Sequence, residues 1–345
     1  MLKKKLAFGA IFAAASLVFA GCASGSSTSE TTPAETSGES ETAATTEELS
    51  LAGKVIGIAV VGTQHFWDRE AFQGAVDEVE RLGGTVITTD GGRDNTVHAE
   101  NHDVFLTEGV DAVITILGDD AVEPKLEALQ EAGIPVFGVD KNSSFAVNNS
   151  QSENDIGGYA IGEILGEALG GEGNVAVFNA FSEVLDFCGV RYGEWKRALE
   201  ENYPGVTILE PELAEEFANA PEDARQQTLT LLERYPVGEL AAIHVACWDQ
   251  PAIGVVQALE ESGRTEVKVT AFDAGPDTLE IMMEENSVFV GNIAQLPRQI
   301  ATKAAQNVAL YLAGGDVERQ SYVEVYPVAG PEEAKRIYEL LGYGS

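Results

Sequence analysis

At 345 residues and 44% hydrophobic composition, the chain is long enough for two domains of ordinary size and apolar enough for a sizeable core. Its formal charge of −35 argues against nucleic acid or an anionic membrane surface as a partner. Acidity of this kind otherwise signals solubility and no particular chemistry.

Lys3, Lys4 and Lys5 precede an apolar run over 6–19 that is too short to span a bilayer comfortably, so 1–21 reads as a signal peptide. The following Phe19-Ala20-Gly21-Cys22 resembles the lipobox of bacterial lipoproteins, with Phe19 where leucine is usual. The resemblance implies cleavage after Gly21 and lipidation of Cys22. Cleavage removes three lysines and no acid, taking the charge from −35 to −38. Behind Cys22, the stretch to residue 50 is almost entirely Ser, Thr, Glu, Ala and Gly, with Pro33 and no aromatic residue, and is expected to be a disordered tether. No later run is long enough to span a bilayer.

The folded part opens with an apolar strand at 54–61 and an amphipathic helix at 66–82 closed by Gly83-Gly84. Strands at 85–89, 111–117 and 134–139 alternate with helices at 96–107 and 121–132. The pattern restarts with a helix at 156–169. Strands follow at 174–179, 206–209, 241–246 and 267–272, interleaved with helices at 190–202, 221–235, 252–262 and 277–285. The stretch 288–300, VFVGNIAQLPRQI, is the clearest unit. It reads as a buried β-branched strand, a polar Gln295 at its carboxyl end, and Pro297 in the first turn of a helix over 297–313. A strand near 322–326 and a helix at 331–341 close the chain. Two successive runs of βα units predict an α/β fold of two similar lobes with parallel sheets, and ligands of such sheets bind beyond the strand carboxyl ends.

Six stretches, in order, carry a family resemblance: GTQHFWDREAFQGAVDEVERLGG, EGVDAVITILGDD, EAGIPVFGVD, AAIHVACWDQPAIGVVQALEESG, VKVTAFDAGP and NIAQLPRQIATKA. They resemble the type I periplasmic binding proteins, the ribose and galactose branch that serves ATP-binding-cassette transporters. The resemblance spans residues 54–326. It implies two Rossmann-like lobes joined by three hinge crossings, near 152–154, 293–296 and 319–322. One lobe would comprise 51–152 plus 296–320 and the other 153–295 plus 321–345. A sugar or sugar alcohol would bind between them and pass to the permease subunits. A monomer without a cofactor is expected.

A sugar site needs aromatic plates for C–H faces and carboxylates, amides and a guanidinium for hydroxyls. The resemblance implies Phe66 and Trp67 as plates with Gln64 beside them, with a staple at the helix start as the alternative for one ring. It implies Asp140 as a hydroxyl acceptor, with a helix cap as the alternative. Lys141 stands where arginine is common. Arg191 matches the family's arginine, although some members carry it two places earlier, and pairing only with acids of its own lobe is the alternative. Trp248 replaces a common asparagine, which should change specificity. Asp249 either binds ligand or caps the next helix. Asp273 and Gln295 match polar ligands, and Phe217 falls near another aromatic position. Cys188 and Cys247 either pair or remain separate thiols.

Other classes fit less well. Neither a G-x-S-x-G elbow nor a G-x-x-x-x-G-K-[ST] loop occurs, so an enzyme is not expected. His98 and His102 share one helix face within HAENH, but without an evident third ligand they read as surface histidines and no metal is expected. The same fold binding a nucleoside or signalling molecule, for transport or for a membrane sensor, is the alternative. A repressor of related fold would need an N-terminal DNA-binding unit where this chain has the lipid signal.

Overall fold

The computed structural model describes residues 49–344. The expected signal peptide, Cys22 and nearly all of the expected tether lie outside them.

The chain begins β1 (Val55–Val60), α1 (Phe66–Arg81), β2 (Thr85–Asp90), α2 (Asn95–Glu108), β3 (Ala112–Ile116), α3 (Glu123–Glu131), β4 (Val136–Val139) and β5 (Ala146–Ser152). It continues α4 (Asn154–Leu169), β6 (Glu172–Phe178), α5 (Asp186–Asn202), β7 (Gly205–Ile208), α6 (Ala220–Arg234), β8 (Ala242–Val245), α7 (Gln250–Glu261), β9 (Lys268–Thr270), α8 (Pro276–Met283) and β10 (Phe289–Ala294). Then come α9 (Pro297–Leu312), β11 (Gln320–Val323), β12 (Tyr326–Ala329) and α10 (Gly330–Leu340).

Two six-stranded sheets result, in the orders β11-β5-β4-β3-β1-β2 and β12-β10-β9-β8-β6-β7. Every pairing in the first is parallel, and in the second only β12 runs antiparallel, against β10. Helices cover both faces, which is why β1, β3, β4 and β8 read as continuous apolar runs. In the first sheet Ile56, Ile58 and Val60 pack against alanines of α1 and α9, while Val113 and Ala59 face Phe105, Leu126 and Leu129. The alanines let α1 and α9 approach closely. At Gly74 an added Cβ would lie 2.5 Å from the Arg298 carbonyl oxygen.

Three elements differ from expectation. Strand β5, AVNNSQS, has no apolar alternation, yet Asn148, Asn149 and Ser150 are buried. Their polar groups are met by distant segments. Asn148 Nδ2 donates to the Glu318 carbonyl at 2.8 Å, Asn307 Nδ2 on α9 donates to Asn148 Oδ1 at 3.0 Å, and Asn149 Oδ1 accepts from Lys141 N at 3.0 Å. Helix α5 begins at Asp186, a turn earlier than expected, so Cys188 is helical. The strand expected near 322–326 is two strands, β11 in the first sheet and β12 in the second. The chain therefore passes between sheets after β5, after β10 and between β11 and β12. Cys188 and Cys247 form a disulfide, with Cα atoms 4.9 Å apart.

Candidate functional site

In each sheet the strand order reverses between two neighbours, β1 and β3 in the first and β6 and β8 in the second. The carboxyl ends at those switch points face one another across a cavity of about 220 Å³. The segment after β1 contributes His65, Trp67 and Asp68, and β4 is followed by Asp140. From the other side come Phe181 and Phe187 after β6, Arg191 on α5, Trp248 after β8, Asp273 after β9 and Gln295 after β10.

Arg191 is the hub. Its side chain is 2% exposed and its guanidinium lies 4.1 Å above the Phe272 ring. Nε donates to Asn154 Oδ1 at 2.8 Å, Nη1 to the Cys247 carbonyl at 2.6 Å and to Asp273 Oδ1 at 3.4 Å, and Nη2 to Gln295 Oε1 at 3.0 Å. Gln295 in turn donates to Asp273 and accepts from Ser152. Nη2 also lies 3.7 Å from Asp140 Oδ2, across the cleft. A planar fork with several donors is suited to such a hub, where lysine would be a single point charge.

Asp140 and Asp273 follow equivalent strands of the two sheets, both with positive φ (46° and 105°). Left-handed backbone at a carboxylate is costly for most residues, tolerated by Asp, and concentrates at sites that aim a side chain. Burial raises the Asp140 carboxyl to about 6 against the pull of Arg191. Burial, reinforced by the Asp249 charge, raises Asp273 to about 8. Neither Asp140 oxygen has a hydrogen-bond partner within the protein.

His65 crosses the cleft. Its Nε2 is 3.2 Å from Asp249 Oδ1 and 4.0 Å from Asp273 Oδ2, and its Nδ1 is 3.6 Å from Asp68 Oδ1. Burial opposes its charge, but hydrogen bonds to Asp249 and Asp68 and their negative charges outweigh it, raising the imidazole to about 10. The other Asp249 oxygen accepts from Gly275 N and Thr278 Oγ1, both at 2.8 Å. The imidazolium and these donors hold the nitrogen–carboxylate cluster of His65, Asp249 and Asp273 together.

Aromatic rings form the apolar wall. Trp248 packs at 5.6 Å from Phe217 and 6.1 Å from Phe181, and its Nε1 donates to Glu215 Oε1 at 3.0 Å. Arg93, from the other side, lays its guanidinium 4.0 Å over the Phe217 ring.

Of the residues singled out in the sequence, Trp67, Asp140, Arg191, Phe217, Trp248, Asp273 and Gln295 line this cavity together. Four stand apart. Gln64 is exposed. Phe66 packs edge-on against Tyr343 at 5.4 Å. Lys141 reaches Glu123 Oε1 at 2.9 Å. Asp249 lies behind His65 and makes no side-chain cap to α7. His98 and His102 are not surface residues: both are fully buried, with His102 Nε2 3.1 Å from Thr115 Oγ1. Sequence reasoning missed His65, Asp68, Arg93, Phe181 and Phe187. For His65, Arg93 and Phe181 the available signal was position, shortly after a strand's carboxyl end, whereas Asp68 and Phe187 lie in the first turns of α1 and α5.

A family described as "Periplasmic binding protein domain" matches residues 56–316. The chain is 24% identical over 296 residues to the ribose import binding protein of Escherichia coli, covering 83% of this chain and 92% of that protein. Two solved structures are more similar in sequence. An ABC sugar transporter subunit from Rhodobacter sphaeroides is 37% identical with a TM-score of 0.78, covering 81% of this chain and 99% of that one. An ABC transporter solute-binding protein from Agrobacterium vitis, with bound allitol, is 36% identical with a TM-score of 0.81, covering 84% and 100%.

Proposed function

The chain belongs to the periplasmic binding protein family, and from that premise we propose that it captures a sugar (a pentose or hexose) or a sugar alcohol between two lobes and delivers it to an ABC transporter permease. The observation that carries this reading is Asp140. It is a buried carboxylate on the cavity wall with neither oxygen hydrogen-bonded within the protein, beside the Arg191 fork and a wall of aromatic rings. Unpaired buried acceptors cost about 1–3 kcal/mol each, more when charged, and ligand hydroxyls remove that cost. C–H faces suit the rings. No bond is made or broken.

The first lobe in this reading is 51–152 with 296–323, because β11 pairs in the first sheet, and the second is 153–295 with 324–345. Asp140 and Trp67 come from the first lobe. Arg191, Phe217, Trp248 and Asp273 come from the second, with Gln295 at a crossing. Only the closed form makes both sets of contacts, so ligand favours closure. Proteins of this family are extracytoplasmic. The lipobox-like Cys22 supports a lipid anchor holding a monomeric binding protein at the membrane, and the acidic charge offers nothing to nucleic acid. Among the described residues no helix is long and apolar enough to cross a membrane.

The test is a thermal-shift panel of pentoses, hexoses, sugar alcohols and nucleosides on the protein lacking residues 1–21. A ligand at a hundred times its dissociation constant stabilises by about 2.7 kcal/mol, so a true ligand gives a clear rise. A rise with a sugar or polyol supports the reading, and a rise with nucleosides alone replaces the ligand class. No rise with any sugar or polyol overturns the proposal.

A further inference from the structure

We propose that Asp68 and Arg93 form a second hydroxyl-binding pole of the cleft, which selects an extended polyhydroxyl chain, a hexitol, over shorter polyols. The inference deepens the sugar or sugar-alcohol reading and rests on it.

The first pole is the Asp140, Arg191, Asp273 and Gln295 group. Its cross-cleft acid–guanidinium pair stands 3.7 Å apart, with both Asp140 oxygens unpaired. Asp68 and Arg93, both from the first sheet's side, form another spaced acid–guanidinium pair lining the same cavity. Arg93 Nη1 is 3.8 Å from Asp68 Oδ2, their side chains are 13% and 4% exposed, and Asp68 Oδ2 and Arg93 Nε have no hydrogen-bond partner in the protein. An ion pair serving only the fold would be expected to close to hydrogen-bond distance, since leaving buried charged atoms unmatched is costly. A hydroxyl between the two removes the mismatch, because its O–H donates to Oδ2 while its oxygen accepts from the guanidinium. Both side chains are held ready for it. Arg93 sits at φ 67° with its N–H donating to the Val61 carbonyl at 2.7 Å, and its guanidinium is stacked on Phe217. Asp68 Oδ1 faces His65 Nδ1 at 3.6 Å, so Oδ2 is the free oxygen.

Sheet order separates the poles. Asp140 follows β4, whereas Asp68 sits in the first turn of α1, beyond β1, and Arg93 follows β2, and the first sheet runs β4-β3-β1-β2. Strands stand about 4.8 Å apart, so the poles lie on the order of 10 Å from one another. An extended hexitol carries hydroxyls along a comparable length. A tetritol does not, and settles at the first pole, where more donors and acceptors converge.

The test is calorimetric titration of the wild type, Asp68→Asn and Arg93→Lys with allitol and erythritol. Asp68→Asn keeps the side-chain shape and is expected to weaken allitol about ten- to a hundredfold, and erythritol by less than about threefold. Arg93→Lys retains charge without the fork and is expected to lower the same allitol-over-erythritol preference, which keeps the test available if Asp68→Asn does not fold. A variant that weakens both polyols alike, or leaves allitol unchanged, overturns the pole and makes the pair structural. A wild type that binds sugars but no hexitol also overturns it. A wild type that binds no sugar or polyol overturns the sugar reading itself, and the pole with it.

Discussion

His65 shows how one side chain can tie two halves of a molecule together. It leaves the first sheet after β1 and finds Asp249 and Asp273 beyond the second. Because its pKa rises from 6.5 unfolded to about 10 folded, its contribution is fully present below about 6.5 and is lost as pH climbs through about 10. Asp140 and Asp273, raised to about 6 and about 8, likewise favour the folded form at low pH, and their contributions fade earlier. The ligand-free protein is therefore expected to lose melting temperature between pH 6.5 and 10. In His65→Gln the loss of stability over that range should be smaller by about 1–3 kcal/mol. Thermal denaturation across pH checks this, and equal slopes in both proteins would exclude the His65 charge as the cause. Sequence pattern located Asp140, Asp273 and Gln295 because each ends a recognisable strand. It did not reveal His65, since nothing local to residue 65 marks partners some 184 positions away.

Among elements, the crossing of α1 and α9 depends on a small residue. Gly74→Ala gains helix propensity of about 1 kcal/mol but drives a methyl into the Arg298 backbone, and overpacking costs about 1–3 kcal/mol. The expected net effect is destabilisation of up to about 2 kcal/mol. Gly193→Ala, on α5, meets nothing within 4 Å and should instead stabilise by about 0.5–1 kcal/mol. Chemical denaturation of both variants gives opposite signs if the packing account holds. The same dependence on context explains β5. Its Asn and Ser run carries no strand pattern, and it forms a strand because β4, β11 and Asn307 of α9 supply its hydrogen bonds.

At the scale of the molecule, the described arrangement joins its two sheets through His65–Asp249, Arg191–Asp140, Phe66–Tyr343 and Arg93–Phe217. In the closure reading, these contacts form together with the ligand contacts. Small-angle scattering should then show a smaller radius of gyration when a saturating ligand is added, and an unchanged radius would argue that the lobes are already fixed. Phe66, read as a ligand plate, is placed by its ring contact with Tyr343 in this set of cross-cleft contacts.

Periodicity and punctuation in the chain were enough for the α/β class, the two runs of βα units, the helix over 297–313, and the polar residues that end strands, while the return of that helix to the first lobe was implied by the family resemblance. The features read from the pattern are local, set by hydrophobic period, glycine stops and proline starts. Tertiary structure alone decided the rest: that a polar run becomes a strand, that His98 and His102 are buried, that Cys188 meets Cys247, and that Asp68 and Arg93 share a wall with Asp140. Each depends on partners far along the chain, and a residue's own neighbourhood carries no record of which distant group will face it.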